Sequence, residues 1–163
     1  MNRLTVCVIA QNEQVDLPRL LKSVEGIADE IVVVDGGSTD RTCEVAQEFG
    51  AKVFRRAFTN FAEQKNYAAA QASNGWIFML DADEELSGEL KQSLSEWKAG
   101  KSELPVYEMA RLTWYLGAWI HHSRWYPDWQ RRMYRRDQAA SSSAAQAAVR
   151  PDTMNSAISP IEL

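Results

Sequence analysis

The sequence lacks a basic excess: 18 lysines and arginines face 22 acidic residues, for a formal charge of -4 and a pI near 5.3. General polyanion binders carry surplus cations to neutralise phosphates, so nucleic acid is excluded as a partner class. A long apolar run near the start is also missing. The stretch after Met1-Asn2-Arg3 ends at Gln11-Asn12-Glu13, shorter than a signal-peptide core with its cleavage site or a membrane span, and a cytoplasmic location is expected. Cysteine is scarce: Cys7 and Cys43 are the only two. They have no ligand spacing and read as reduced thiols in or near a core. The 163 residues, 45% of them hydrophobic, suffice for one domain around one core.

What is present is an alternation. Leu4 to Ile9 and Glu30 to Val34 are continuous β-branched runs of the kind that form fully buried parallel strands. Between them Asp16-Leu17-Pro18 reads as a helix start, with Leu17, Leu20, Leu21 and Val24 on one face. After Asp35 the turn Gly36-Gly37-Ser38-Thr39-Asp40 leads into a helix through Val45, Ala46 and Phe49. Asp40 is its expected N-cap and Gly50 its left-handed stop. Lys52 to Arg56 reads as a third strand, Phe61 to Ser73 as a helix, and Trp76 to Leu80 as the most apolar strand of all. A helix from Ser87 to Ala99 and a strand from Val106 to Thr113 follow. Trp114 to Arg136 is aromatic and basic with little clean period, and the Ala/Ser/Gln-rich remainder resembles a disordered tail. The fold class is therefore an open, mostly parallel α/β sheet flanked by helices, with a domain over 1–137 and a tail over 138–163. In such sheets the ligand crevice lies outside the carboxyl ends of the strands, where Asp35 and Asp81-Ala82-Asp83 fall.

Two carboxylates one residue apart in a strand-end turn can serve a hard cation and a neighbouring nucleotide together. Taken alone, the pair reads equally well as a turn cap beside a solvated acid. It occurs in sequence with Asn12-Glu13 after the first strand, Val34-Asp35-Gly36-Gly37-Ser38-Thr39-Asp40 after the second, and Lys65-Asn66 on the third helix. Together these resemble the family 2 glycosyltransferases of the GT-A fold. Trp125-Tyr126-Pro127-Asp128-Trp129 and Arg131-Arg132-Met133-Tyr134 resemble the bacterial lipopolysaccharide core biosynthesis members of the WaaE/KdtX type. The resemblance covers residues 3 to 137.

That resemblance implies an inverting transfer from a UDP-sugar to a lipopolysaccharide core acceptor, with peripheral contact at the inner membrane's cytoplasmic face. It implies nucleotide binding by Asn12, Glu13, Asp35, Lys65 and Asp81, and Mg²⁺ or Mn²⁺ at Asp83. Asp35 would accept a hydrogen bond from the pyrimidine ring; its plainer reading is a cap for the Gly36-Gly37 turn. Lys65 would meet the phosphates as a point charge without a guanidinium's fork, or is a solvated helix lysine. Ala10 stands where relatives carry a hydroxyl, so any contact there is from the backbone. Glu84 and Glu85 read as surface charges favoured before a helix.

The segment from Trp114 to Trp129 holds four of the six tryptophans with His121 and His122. Aromatic faces suit sugar rings, though the same rings could simply close the core; the histidines are not read as metal ligands. Asp128, the one acid of this segment, is the fallback for general base or acceptor contact. Members of the lipopolysaccharide subgroup carry a later His-Glu pair that does not follow Asp137 here, so the enzyme is expected to be incomplete and its true base missing. Transfer to a polyisoprenyl phosphate and an inactive nucleotide-binding remnant are the competing expectations; a phosphoacceptor domain does not match the Asn12-Glu13 turn or the paired aspartates.

Overall fold

The computed structural model describes residues 1–100, 104–115, 118–120, 126–138 and 157–160. Its first half is the expected alternation: β1 (Leu4–Ala10), α1 (Leu17–Ser23), β2 (Glu30–Asp35), α2 (Thr42–Glu48), β3 (Lys52–Arg55), α3 (Phe61–Gln71) and β4 (Trp76–Asp81). β5 (Glu84–Leu86), α4 (Gly88–Ala99) and β6 (Val106–Arg111) follow. Local chemistry sets the boundaries. Proline occupies the first turn of α1, the Asn60 and Ser87 side chains accept from Glu63 N and Leu90 N to cap α3 and α4, and Gly50 takes φ +75° after α2.

The strands order as β3-β2-β1-β4, all parallel, with β1 flanked by β2 and β4. The chain therefore reverses its winding direction at β1, the topological switch point where open α/β sheets bind ligands. Side chains alternate into two cores. Leu4, Val6 and Val8 of β1 pack with Leu17, Leu20 and Leu21 of α1 and Leu90 and Leu94 of α4, whereas Cys7 and Ile9 pack with Ala68 and Ala69 of α3.

Beyond β4 the sheet departs from the sequence reading. β9 (Asp128–Arg135), from the segment read as having little clean period, lies antiparallel between β4 and β6. Strand β6 stops at Arg111 rather than Thr113; β7 (Thr113–Tyr115) and β8 (Ala118–Ile120) form a separate hairpin. Ala157–Pro160, expected within a structureless tail, form β10, parallel to β6 and antiparallel to β5. Backbone pairing on both sides supplies what apolar periodicity does not. The rest of 139–163 lies outside the described residues. No helix among the described residues is long and apolar enough to cross a membrane.

Candidate functional site

At the carboxyl ends of β1, β2 and β4 lies a cleft of about 740 Å³. Its floor is Ile9, Ala10, Gln11 and Gly36; one wall is the turn Asp81 to Glu84, the other Phe58, Phe61, Gln64 and Lys65. Glu13, Lys65, Asp81 and Asp83 all reach it, which the sequence reading expected. The two phenylalanines, which it did not single out, stand edge to face with centroids 5.1 Å apart and remain exposed.

The floor is stitched from two loops. Asn12, at φ +60°, donates its backbone N–H to Ser38 Oγ at 2.8 Å, and its Oδ1 accepts from Thr39 N at 2.9 Å. Glu13 N donates to Thr42 Oγ1 and Gln14 N to Asp40 Oδ2, while Arg41 N donates to Gln14 Oε1. Asp40 also accepts from Thr42 N at 3.0 Å, but it stands one residue ahead of the cap. Because the helix begins only at Thr42, the N-cap of α2 is Arg41, whose side chain makes no capping bond, and Asp40 is spent on the turn between the two loops. Asp35 is 1% exposed and spends its carboxylate on Gly37 N (3.2 Å) and Ser38 N (3.1 Å). It is not among the residues that line the cleft; the geometry matches the turn-cap reading directly. The Ala10 carbonyl accepts from Gly36 N at 2.8 Å, so this backbone contact also serves the floor.

The acidic turn is a charge network. Asp81 Oδ1 takes the Lys65 ammonium at 2.6 Å, and its Oδ2 takes both terminal nitrogens of Arg132 at 3.1 Å. Arg132 also pairs with Glu84, whose second oxygen accepts from Asp81 N at 3.0 Å. Glu84 is 2% exposed, which corrects its reading as a surface charge: the residue sits in β5, ahead of the helix, with its carboxylate turned inward. Burial pushes the Glu84 carboxyl up to about 7, against the pull of Arg132 and the Asp81 N–H. Burial acts on Asp81 in the same direction, but Lys65 and Arg132 outweigh it and hold its carboxyl below the usual range. Lys65 is thus committed to Asp81 in this state.

Asp83 differs from its neighbours. It is exposed in the cleft and its carboxylate makes no hydrogen bond or ion pair among the described residues. The Glu13 carboxyl is raised, first by burial and then by the charges of Asp83, Asp16 and Asp40. A cation in the cleft would relieve that repulsion. No group of three or more His, Cys, Asp or Glu side chains among the described residues is arranged to hold a metal. A hard ion of the Mg²⁺ type fits such a site, because it is held by one or two carboxylates plus substrate phosphates rather than by an all-protein cage.

Asp128 lies off the cleft lining. Its carboxylate holds Arg111, at 2.9 Å to Nε and 2.7 Å to Nη2, and accepts from Gln130 at 2.7 Å. Arg111 itself lines the cleft. His121, His122 and Trp125 lie outside the described residues.

A model of the family described as glycosyl transferase family 2 matches residues 5–149. An uncharacterized glycosyltransferase of Rickettsia typhi is 38% identical over 94 residues, which cover 58% of this chain and 32% of that protein. The lipopolysaccharide core biosynthesis glycosyltransferase LpsC of Rhizobium meliloti is 34% identical over 119 residues, 70% of this chain and 44% of LpsC. Among solved structures, S. aureus TarS 1-349 in complex with UDP-GlcNAc superposes with a TM-score of 0.65 at 16% identity, over 99% of this chain and 56% of that one. At that identity the match speaks for the GT-A fold alone. The chain spans about a third to under a half of the length of the two sequence relatives. With the family model covering most of the chain, and the glycosyltransferase relatives agreeing with the switch-point cleft, this protein belongs to glycosyl transferase family 2.

Proposed function

We propose that this chain forms the donor side of an inverting glycosyltransferase, one that moves a hexose from a UDP-sugar to a lipopolysaccharide core acceptor with Mg²⁺ or Mn²⁺ at Asp83. The observation that carries the reading is the contrast within one turn: Asp81 and Glu84 are tied down by Arg132, and Asp83 is left open to the cleft. A divalent ion bound there would stabilise charge developing on the departing diphosphate. Lys65, at the same wall, offers its ammonium to the phosphates by exchanging Asp81 for them. Asn12 and Glu13 hold the floor in shape through their bonds to Ser38, Thr39 and Thr42. Inversion in one displacement needs a general base at the acceptor hydroxyl. Asp128, bound to Arg111 and Gln130, is poorly placed for that work. The UDP-GlcNAc complex of TarS supports the donor class, and the name of LpsC supports the acceptor. An acceptor of that kind brings the enzyme to the cytoplasmic face of the inner membrane.

Calorimetric titration of UDP with Mn²⁺ and with EDTA tests the reading. Binding should require the metal and be lost in Asp83→Ala, because the carboxylate and the diphosphate share the ion. Equal affinity in the variant removes Asp83 from the site, and equal affinity in EDTA removes the metal.

A further inference from the structure

We infer that Arg132 is a positioning residue for this site: a β-bulge in β9 turns it inward, and its guanidinium clamps both ends of the 81–84 turn so that Asp83 faces the cleft. The inference rests on the donor-side reading above.

The bulge is read from the register of β9 on β6. Tyr107 pairs with Met133 and Glu108 with Arg131, so Arg132 is the extra residue with no partner across the ladder. An extra residue breaks the strict in-and-out alternation of a strand and can re-aim a side chain. Burial records the break: Arg132 is 5% exposed and the next residue, Met133, is fully buried, whereas Arg131 is exposed and bonds to Glu108. On the other side of β9 the ladder to β4 ends at the pair Phe78 and Met133. The carboxyl end of β4 is therefore not held by that ladder, and the Arg132 side chain spans the gap.

What it spans to is the turn. Two nitrogens of Arg132 share Asp81 Oδ2, one also meets Glu84, and Glu84 returns to the backbone N–H of Asp81. This closed ring fixes residues 81 and 84 relative to each other, and only Ala82 and Asp83 lie between them. Stability alone would be served as well by an apolar side chain, since buried ion pairs are often replaceable by packed hydrophobic residues without loss. The fork geometry matters because a lysine is a single point charge and cannot span two carboxylates in a fixed plane. Arg132 also leaves Asp81 neutralised when Lys65 departs, so the lysine can leave without stranding a charge.

The test uses the 163-residue chain, Mn²⁺ and UDP. The double variant Arg132→Met with Glu84→Gln removes the clamp without leaving an unpaired buried charge at position 84. The readout is the ratio of the UDP dissociation constant in EDTA to that in Mn²⁺, a measure of the metal-dependent part of binding, with the melting temperature followed in parallel. The ratio should fall about tenfold or more in the folded variant, the usual cost of losing a residue that orients a metal ligand. Should that variant not fold, Arg132→Lys, which keeps the charge and loses the fork, should lower the ratio in the same way. A folded variant of either kind that keeps the parental ratio overturns the inference and leaves the donor reading standing. A parent whose UDP binding does not depend on Mn²⁺ removes the metal from the donor reading, and the inference with it.

Discussion

Asp35→Asn separates two roles that the sequence allowed for one residue. In the parent the buried carboxylate serves two backbone donors, Gly37 N and Ser38 N. Asparagine keeps one acceptor oxygen and replaces the other with an NH₂ group. An amide oxygen at the Oδ2 position can still reach both N–H groups, but the NH₂ at the Oδ1 position then meets Ser38 N, donor against donor, in a place 1% open to water. An unsatisfied buried donor costs about 1–3 kcal/mol. For a chain of this size each kcal/mol moves the melting temperature by about 2–4 °C, so a loss near 2 kcal/mol means roughly 4–8 °C. Thermal unfolding followed by circular dichroism measures that loss. Titration with UDP well below the melting point measures the second role: a lost charge-assisted bond to the pyrimidine ring weakens binding by about 1–3 kcal/mol. An unchanged melting temperature would refute the capping account. A lowered one with parental UDP affinity would leave Asp35 as a turn cap and nothing more.

Three other outcomes follow from the same bonds. Asn12→Ala forces a side chain without a local acceptor to hold φ +60° and gives up the bond to Thr39 N; the two costs together come to about 2 kcal/mol, and Asn12→Gly should recover the backbone share in denaturant titrations. Burial alone would raise the Glu30 carboxyl, but bonds from Lys52, Thr5 and Ser73 carry it from 4.5 down to about 2. Because the folded value lies below the unfolded one, Glu30 stabilises the fold above pH 4.5, and that contribution is lost as pH falls from 4.5 toward 2; Glu30→Gln should flatten the stability profile in that window, and an unchanged profile would discount the network. Cys7 is fully buried, with its thiol pushed up to about 12 by burial and then by the charge of Glu30, and Cys43 is 5% exposed and also raised by burial. Both should resist iodoacetamide until the protein unfolds; rapid labelling of the native chain would contradict their placement.

The first four strands and the helices between them were legible because each carries its own signal. Leu4 to Ile9 is apolar throughout, Pro18 starts a helix, and Gly50 ends one, and none of these depends on a distant partner. The cleft followed, since a strand order that reverses at β1 opens it at the carboxyl ends where Asp81 and Asp83 were found. What could not be read was held by distant residues. Glu84 looked solvated because its partner, Arg132, comes from β9, on the far side of α4 and β6 in the chain. β9 itself was missed because its bulge spoils the period-2 pattern at the place where an arginine is buried. A clue lay in Gln130 to Tyr134, where a lone buried methionine follows two arginines, but its meaning needs β4 alongside.

The placement of β9 also bears on how the chain escapes mispairing while it is being made. β4 is apolar from Trp76 to Leu80, and among the described residues its edge facing away from β1 is paired only by Met133 to Arg135. A ribosome delivers Trp76 to Asp81 long before those residues, so for that interval an apolar strand edge stands bare, ready to template a neighbouring nascent chain. Nothing in β1 to α4 can cover it, since β1 already occupies the other edge. The strand that arrives closes it with arginines: Arg131 and Arg135 remain exposed on β9, and charged residues beside a hydrophobic strand are how natural sequences discourage aggregation. The strand that carries Arg132 to the cleft is thus also the guard of the second edge of β4.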